Sequence, residues 1–297
     1  MTQKVNDMIM DMILEDSLTD LSEKYDLVEL FTPIKTTDSE YIIKNGKIII
    51  GFDGTLSPMT FYNKNNELTG FDIEFAKAVC QQLDIKVEFK EINWDQKETD
   101  LKKRNIDCIW GGLSVTDERR ERIKFSRVYM NNKQVVVIRK SNIFKYTVLD
   151  SLSESKLGSK TGSLGEDAIE TYLPHANYKG FFSIEEMFTE LKKGMLDAIV
   201  IDYTIAKDNI NNNGFTDLMI IESIELIDDQ YAIGFRYGSD MSQKVNGIIK
   251  TMMSDGSLNE IAKKYDLLNL YTKEIKSKNY FMIIIILIVY SFLIIIA

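Results

Sequence analysis

Hydrophobic and polar positions follow two alternating patterns along the chain. Short apolar runs predict strands, at Lys47–Phe52, Lys86–Glu91, Asp107–Trp110, Gln134–Arg139, Ser155–Ser159, Asn177–Phe181, Asp197–Ile201, Asp217–Ile221 and Gln230–Phe235. Longer amphipathic segments predict helices, at Gly70–Leu83, Lys97–Arg104, Ser163–Tyr172, Ser183–Lys193, Tyr203–Asn211, Ser239–Ser254 and Leu258–Tyr265. A regular alternation of strand and helix indicates an α/β fold with parallel sheets.

The C-terminal segment differs from the rest of the chain. Residues 280–297 form a run of 18 positions with no charged side chain, after the lysine-rich residues 273–278. This length is at the short end of a membrane span. A buried core helix is the alternative, but a run at the chain end has no following sequence to pack against. The pattern therefore predicts a transmembrane helix over 279–297.

The N-terminal segment repeats a later one. Met1–Thr32 aligns without gaps to Met241–Thr272, with 15 identities in 32 positions that include KVN, SL and KYDL. Similarity at a domain-sized offset indicates duplicated domains. We interpret residues 1–35 as the helical C-terminal remnant of an upstream domain, and residues 36–273 as one complete domain of the same kind. Chance similarity of two amphipathic helices is the alternative, but polar positions also match.

Composition narrows the class of protein. The net charge of −9 argues against a nucleic-acid partner. Cys80 and Cys108 both lie in apolar surroundings, which predicts buried free thiols rather than a disulfide framework. The first 32 residues are amphipathic and acidic, unlike a signal peptide. For a protein that works outside the cell, we expect the export signal upstream of the partial repeat.

The segment from Asn105 to Arg120, NIDCIWGGLSVTDERR, carries the most chemistry. An apolar strand ends at Gly111-Gly112, where a ligand can approach the backbone closely. A helix start follows, with free N–H groups for an anion. Arg119 adds a planar fork that holds a carboxylate with two hydrogen bonds, and Ser114 adds a hydroxyl. The segment alone supports a carboxylate site and an ordinary strand–helix junction equally.

Further motifs favour the carboxylate site. GFD at 51–53, PMTF at 58–61, GFDIEFAK at 70–77, Trp94 and the stretch Gly112–Arg119 occur in this order. Their order and spacing resemble the amino-acid-binding branch of bacterial extracellular solute-binding proteins, family 3. The resemblance extends to about residue 270 through KTGS at 160–163, LDAIVID at 196–202 and QYAIGF at 230–235.

The resemblance implies a two-lobed periplasmic-binding-protein-like type II (Venus-flytrap) fold. Lobe 1 would comprise about 38–128 and 232–272, and lobe 2 about 134–226. The chain would cross twice between them, with hinges near 129–133 and 227–231. Parallel sheets bind ligands beyond the carboxyl ends of their strands, and Asp53, Gly112 and Asp202 all fall at such ends.

The resemblance also implies roles for individual residues. Arg119 would bind the carboxylate of a free amino acid, helped by backbone N–H groups of Thr116 and Ser163. Asp202 would bind the ammonium from the opposite lobe, with Ser114 and the Gly112 carbonyl. The expected contacts to the side chain come from Trp94, Phe52, Phe61, Asp53 and Lys160, with Leu56 where an aromatic usually closes one side. Core packing for the aromatics, a turn cap for Asp53 and a solvated Lys160 are the alternatives.

The function implied is a membrane-tethered receptor on the extracellular or periplasmic side. It would capture a free amino acid and deliver it to the membrane and ATPase components of an ABC-type permease. A ligand-sensing domain of a signalling receptor, acting through a kinase or cyclase, is the alternative. An enzyme is disfavoured, because the single histidine, His175, follows Pro174 at a predicted helix end. No catalytic residue, metal or cofactor is predicted.

Overall fold

The computed structural model describes Tyr25, residues 38–224 and residues 226–270. Its strands are β1 (Lys47–Phe52), β2 (Thr55–Leu56), β3 (Thr60–Tyr62), β4 (Leu68–Thr69), β5 (Lys86–Glu91), β6 (Cys108–Ile109), β7 (Ile123–Phe125), β8 (Met130–Arg139), β9 (Lys156–Lys160), β10 (Asn177–Phe181), β11 (Ala198–Asp202), β12 (Leu218–Ile220), β13 (Asp228–Tyr231) and β14 (Gly234–Arg236). Its helices are α1 (Asp38–Asn45), α2 (Phe71–Gln82), α3 (Lys97–Lys102), α4 (Asp117–Arg120), α5 (Leu164–Tyr172), α6 (Ile184–Lys193), α7 (Tyr203–Asn212), α8 (Met241–Asp255) and α9 (Ser257–Lys264).

The first lobe is built on a sheet with strand order β5-β1-β6-β14-β7. Strand β1 pairs in parallel with β5 and β6, and β14 pairs antiparallel with β6 and β7. Apolar faces of α2, α8 and α9 cover this sheet, through residues such as Phe75, Ile249 and Leu258. The C-terminal helices therefore complete the same lobe that the N-terminal strands begin.

The second lobe is built on a sheet with strand order β10-β9-β11-β8-β12. Here β9 pairs in parallel with β10 and β11, while β8 runs antiparallel to β11 and β12. One face packs against α6 and α7 through Phe188 and Ile205, and the other against α5 through Ile169. The central strands β8 and β11 are buried on both faces, which explains their continuous apolar runs.

Two antiparallel strands join the lobes. The first part of β8 pairs with β13, from Met130 with Tyr231 to Lys133 with Asp228. The rest of β8 continues into the second lobe beside β11. A pair of adjacent strands that both pass between two sheets is the arrangement required for the two-lobed type II fold.

The predicted return strand Gln230–Phe235 is wrong in one respect. The structure has two strands here, β13 and β14, because β13 pairs with β8 and β14 pairs with β6 and β7 of the first-lobe sheet. Between them the backbone turns to other partners: Ala232 N–H donates to Leu113 O at 3.1 Å, and Ile233 N–H donates to Ser126 Oγ at 2.9 Å. In contrast, the predicted bounds of β1, β5 and β10 are confirmed.

Other predictions concern the thiols and the chain ends. Cys80 and Cys108 are buried free thiols, as predicted. Within the part of the chain that the structure describes, no helix has the length and hydropathy of a membrane span. The predicted span over 279–297 lies outside the described residues, as does the repeat remnant apart from Tyr25.

Candidate ligand-binding site

Arg119 lies between the two lobes and is 6 % exposed. It sits on the short helix α4, where Thr116 is the N-cap and its hydroxyl accepts from the Arg119 N–H at 3.2 Å. The guanidinium donates to Ser114 O at 2.9 Å and to Gly162 O, in the second lobe, at 3.2 Å. A guanidinium has five N–H donors, so it retains capacity for a carboxylate.

Lys97 lies beside Arg119, and the sequence analysis did not identify it. This lysine is 4 % exposed at the start of α3. Its ammonium donates to Trp94 O at 3.2 Å and to Gly162 O at 2.8 Å. Burial, followed by the charge of Arg119, lowers the pKa of Lys97 to about 7. One carbonyl of the second lobe thus accepts hydrogen bonds from two cations of the first.

A pair of buried carboxylates forms the opposite pole of the site. Asp202, at the end of β11, accepts from Tyr231 Oη at 2.7 Å and from Gln134 Nε2 at 3.0 Å. Asp229, on β13, accepts from Ser114 Oγ at 2.9 Å. The amide of Asn132 lies between them and donates to Asp202 Oδ1 at 2.7 Å and Asp229 Oδ2 at 2.9 Å.

The two carboxylates influence each other's protonation. Burial raises the pKa of Asp202. Burial, followed by the charge of Asp202, raises the pKa of Asp229 to about 7. Like charges held this close in a dry site disfavour double ionisation. A cation placed beside the pair would reverse this, because it stabilises both charged forms.

Ser114 contacts an acid that the sequence analysis missed. Its hydroxyl donates to Asp229 Oδ2 at 2.9 Å. The only sequence signal for Asp229 was an acidic pair, Asp228-Asp229, directly before a predicted strand. Such pairs usually face solvent. Here alternate residues of β13 face opposite sides, so Asp228 is exposed while Asp229 is buried.

Asp53 and Lys160 form an ion pair across the lobes. Lys160 Nζ lies 2.6 Å from Asp53 Oδ2, and both side chains are nearly buried. Asp53 also caps its own turn, accepting from the N–H and hydroxyl of Thr55 at 2.8 and 2.6 Å. Lys160 also donates to Phe182 O at 2.9 Å. The turn-cap interpretation of Asp53 is thus compatible with a position facing the second lobe.

Gly112 is held by a buried acid. Its backbone has φ +61°, a left-handed conformation that favours glycine. Its N–H donates to Asp72 Oδ2 at 2.7 Å, and Tyr129 Oη donates to the same oxygen at 3.0 Å. Burial raises the pKa of Asp72 to about 7. With the N–H directed to Asp72, the carbonyl is the polar backbone group that Gly112 can offer to a ligand.

Two of the three aromatic residues predicted to contact the ligand, Trp94 and Phe52, pack against other residues of the first lobe. Trp94 is 5 % exposed and packs with Leu101 and other residues of a first-lobe cluster. Phe52 packs edge-on against Phe89, with ring centroids 6.1 Å apart. Phe61 is partly exposed on the short strand β3. These contacts lie within the first lobe, so contact with a ligand stays a prediction for all three.

Leu56 takes part in contacts between the lobes. It is 3 % exposed and packs in the apolar cluster of the second lobe, with residues of α6 and α7. Next to it, Ser57 Oγ donates to Asp208 Oδ2 at 2.7 Å. Lys207 Nζ, in the second lobe, lies 2.7 Å from Asp266 Oδ2 in the first. Together with the Asp53–Lys160 pair, these contacts describe a closed arrangement.

Ser163 directly precedes the first residue of α5. It is the N-cap, but its hydroxyl lies 3.4 Å from Ser159 Oγ and makes no capping bond. Its N–H donates to Lys160 O at 3.2 Å, so it is already engaged in the turn. Among the described residues, no group of three or more His, Cys, Asp or Glu is placed to hold a metal ion.

The two sheets, the paired crossing strands and a polar site between the lobes define a two-lobed binding protein of the type II periplasmic class. Comparison with known proteins identifies the family. Residues 48–268 match the bacterial extracellular solute-binding proteins, family 3, and the chain belongs to that family.

Individual proteins and solved structures are similar to this chain over most of its length. The L-cystine-binding protein TcyJ of Escherichia coli is 24 % identical over 223 residues, which cover 75 % of this chain and 83 % of the relative. A substrate-binding protein of an ABC uptake transporter from Streptococcus pneumoniae, solved with bound histidine, is 32 % identical, with TM-score 0.73 and coverage of 80 % and 98 %. The ancestral amino-acid-binding protein AncCDT-1, a precursor of cyclohexadienyl dehydratase, is 29 % identical, with TM-score 0.71 and coverage of 77 % and 99 %.

Proposed function

We propose that this protein is a membrane-tethered receptor that captures a free amino acid between its lobes and delivers it to an ABC-type permease. The observation that carries the proposal is the separation of charge in the site. Two buried cations, Arg119 and Lys97, lie at one pole, and two buried acids, Asp202 and Asp229, lie at the other. An α-amino acid carries a carboxylate and an ammonium, which match these two poles. The binding functions of the family members support the same class of ligand.

In this proposal, Arg119 binds the carboxylate through its unused N–H donors. The N–H groups near Thr116 and Ser163 give weaker support, since that of Ser163 also bonds within its own turn. Asp202 and Asp229 bind the ammonium together, with Ser114 and the Gly112 carbonyl beside them. Burial of these contacts by lobe closure strengthens them, because water no longer screens the charges.

The side chain of the ligand would lie beside Asp53 and Lys160. These two residues form an ion pair, so each neutralises the charge of the other. A basic side chain would compete with Lys160 for Asp53, and an acidic one would compete with Asp53 for Lys160. A polar uncharged side chain could bond to either partner without breaking the pair. Trp94, Phe61, Phe52 and Leu56 would supply apolar contact around this end.

Closure would occur about the crossing strands. We place hinges near 129–133 and 227–231, where β8 pairs with β13. Lobe 1 would comprise about 38–128 and 232–272, and lobe 2 about 134–226. Hinge closure around a ligand is a common response of two-lobed proteins, and a permease can recognise the closed form selectively.

Membrane tethering rests on sequence alone. The uncharged run at 280–297 has the length of a short span, and we propose that it anchors the lobes at the extracellular or periplasmic face of the membrane. We also propose that residues 1–35 derive from the end of a second binding domain, since they repeat residues 241–272. A tandem pair of receptors on one chain would raise the local concentration of amino acid at a permease.

A thermal-shift screen of the detergent-solubilised chain against the twenty amino acids and their close relatives, L-cystine among them, tests the proposal. We expect stabilisation by one or a few of them, because a ligand that binds only the folded state raises its melting temperature. The same amino acid should give no shift with Arg119→Ala or Asp202→Ala. Arg122→Ala is the matched control, since Arg122 is an exposed arginine paired with Glu98 and Glu118. Absence of a shift with all of these compounds would refute an amino-acid receptor.

An enzymatic role is the second candidate, because one structural neighbour is the precursor of a dehydratase. We propose binding without conversion. Mass spectrometry of the bound amino acid, recovered after long incubation, should return the unchanged compound. A product differing by the mass of water would favour the enzyme instead.

A further inference from the structure

The roles assigned so far do not explain why Lys97 is buried. Lysine is almost never fully buried unless it is paired with an acid. Lys97 is 4 % exposed; its ammonium donates to the carbonyl oxygens of Trp94 and Gly162 and lies 5.3 Å from the centroid of the Trp94 ring. Among the described residues, no carboxylate lies within ion-pairing distance of it. A charged ammonium in this position is therefore only partly compensated.

Arg119 makes the arrangement less favourable still. Among the described residues, the hydrogen-bond acceptors of its guanidinium are also carbonyl oxygens only, those of Ser114 and Gly162. Since both cations bond to the same oxygen of Gly162, at 2.8 and 3.2 Å, their nitrogens lie no farther apart than the sum of these distances. A carbonyl has two lone pairs and can accept both bonds, but it carries no net charge to offset two cations.

Closure of the lobes creates this situation. Lys97 and Arg119 belong to the first lobe, while Gly162 belongs to the turn between β9 and α5 of the second. Gly162 comes so close that a Cβ atom on it would lie 3.0 Å from Asp95 Cα. Separation of the lobes would move this turn away and let water reach the ammonium of Lys97.

We propose that Lys97 is a specificity-determining residue that disfavours closure of the empty site, so that the lobes close over a ligand bringing an anionic group to Lys97 and Arg119. The inference rests on the proposed function, because it concerns closure around an amino acid. A ligand carboxylate between the two cations supplies the charge that the carbonyl of Gly162 lacks. A compound without an anionic group leaves both cations uncompensated and binds the open form only.

The charges around Lys97 define how closure depends on pH. Burial and Arg119 lower the pKa of Lys97 to about 7, while Glu98, Asp167 and Asp95 act in the opposite direction. In the open form, we expect the ordinary pKa of about 10.4. Empty closure therefore meets its full penalty below about pH 7, and the penalty declines as pH rises from 7 towards 10. Asp229 and Asp72, whose pKa values are raised to about 7, lose their protons over the first part of this window, so the range from pH 8 to 9.5 reports mainly on Lys97.

Distance measurements between spin labels on the two lobes test this inference. Asn65→Cys in the first lobe and Lys193→Cys in the second provide exposed labelling positions on the full chain, while the native cysteines are buried. After removal of bound amino acids, we expect the parent protein to be mainly open at pH 7. Its closed-to-open ratio should rise with pH, by at most about tenfold per unit up to pH 9.5.

Lys97→Met should have a higher closed-to-open ratio at pH 7 and no change between pH 8 and 9.5. Lys102→Met, on the exposed face of the same helix, should behave like the parent. Equal open fractions in parent and Lys97→Met, or the same pH dependence in both, would overturn the inference. Melting curves verify that each variant is folded.

The proposed function is tested separately in the same samples. An equimolar mixture of the twenty L-amino acids and L-cystine should close the parent protein at pH 7. Failure of the mixture to close it refutes the amino-acid receptor, whatever Lys97→Met does. Closure by the mixture, combined with no effect of Lys97→Met on the empty form, refutes only the role of Lys97.

Discussion

The two poles of the site compensate their charges in different ways. At the acidic pole, Asp202 and Asp229 accept hydrogen bonds from the side chains of Asn132, Tyr231 and Ser114. At the cationic pole, the hydrogen bonds of Arg119 and Lys97 to described residues all go to backbone carbonyls, and Lys97 also lies over the Trp94 ring. The acidic pole can take up a proton and Lys97 can release one, whereas Arg119 stays charged. A ligand carboxylate therefore has more to contribute at the cationic pole than an ammonium has at the acidic pole.

Loss of Arg119 should have the largest effect. Arg119→Ala leaves a ligand carboxylate without its bidentate partner, and we expect affinity to fall by about 2–5 kcal/mol. This corresponds to roughly 30-fold to several thousand-fold in Kd. Isothermal titration calorimetry with the amino acid found in the screen measures the loss, and Arg122→Ala should leave Kd unchanged. An unchanged Kd in Arg119→Ala would remove the cationic pole from the binding site.

Gly162→Ala should have an intermediate effect. Gly162 has φ +73°, and its Cβ atom would lie 3.0 Å from Asp95 Cα, so alanine should hinder closure. We expect about tenfold weaker binding. Gly214→Ala is the matched control, because Gly214 has φ +84° in the same lobe but open space around it.

Both glycine variants should lose about 1 kcal/mol of stability from the left-handed backbone, measured by urea unfolding. Only Gly162→Ala should bind more weakly. Equal Kd values in the two variants would show that the close approach of Gly162 to the first lobe does not matter for binding.

Protonation of the Asp202–Asp229 pair should have the smallest effect on the affinity for the amino acid. The pKa of Asp229 is raised to about 7 in the folded protein, above its unfolded value, so this carboxyl destabilises the fold at high pH. Without amino acid, the melting temperature should rise as pH falls from 8 to 5. Amino-acid affinity should fall several-fold over the same range, because the protonated pair attracts an ammonium less.

Asp72 separates these two effects. Its pKa is also raised to about 7 by burial, but it bonds to Gly112 and Tyr129 rather than facing the acidic pair. Asp72→Asn should therefore reduce the pH dependence of the melting temperature and leave the pH dependence of Kd unchanged. If Asp72→Asn removed the pH dependence of Kd, the titrating group would not be the Asp202–Asp229 pair.

Residues in a continuous motif were predictable, and residues assembled from separate elements were not. Arg119 and Ser114 stand in one segment after a strand that ends in glycines, which indicates a ligand site locally. Asp202 ends an apolar strand. Lys97, in contrast, begins an amphipathic helix with several exposed lysines, and nothing nearby in sequence distinguishes it. Its burial depends on Gly162, 65 positions later in the chain.

Asp229 was missed for a related reason. Its neighbour Asp228 is exposed, and the two are chemically identical in the sequence. The pairing of β13 with β8 decides which of them faces Asn132. The division of the predicted return strand into β13 and β14 has the same origin, because hydropathy does not record which sheet a strand joins.

The sequence by itself determined the α/β alternation, the bounds of several strands and the family to which the chain belongs. These follow from local periodicity and from motifs in a fixed order. Only the tertiary structure decided which acid bonds to Ser114, which lysine joins Arg119 and which groups have shifted pKa values. Such properties depend on burial and on charges within a few ångströms, and both come from residues that are far apart in the chain.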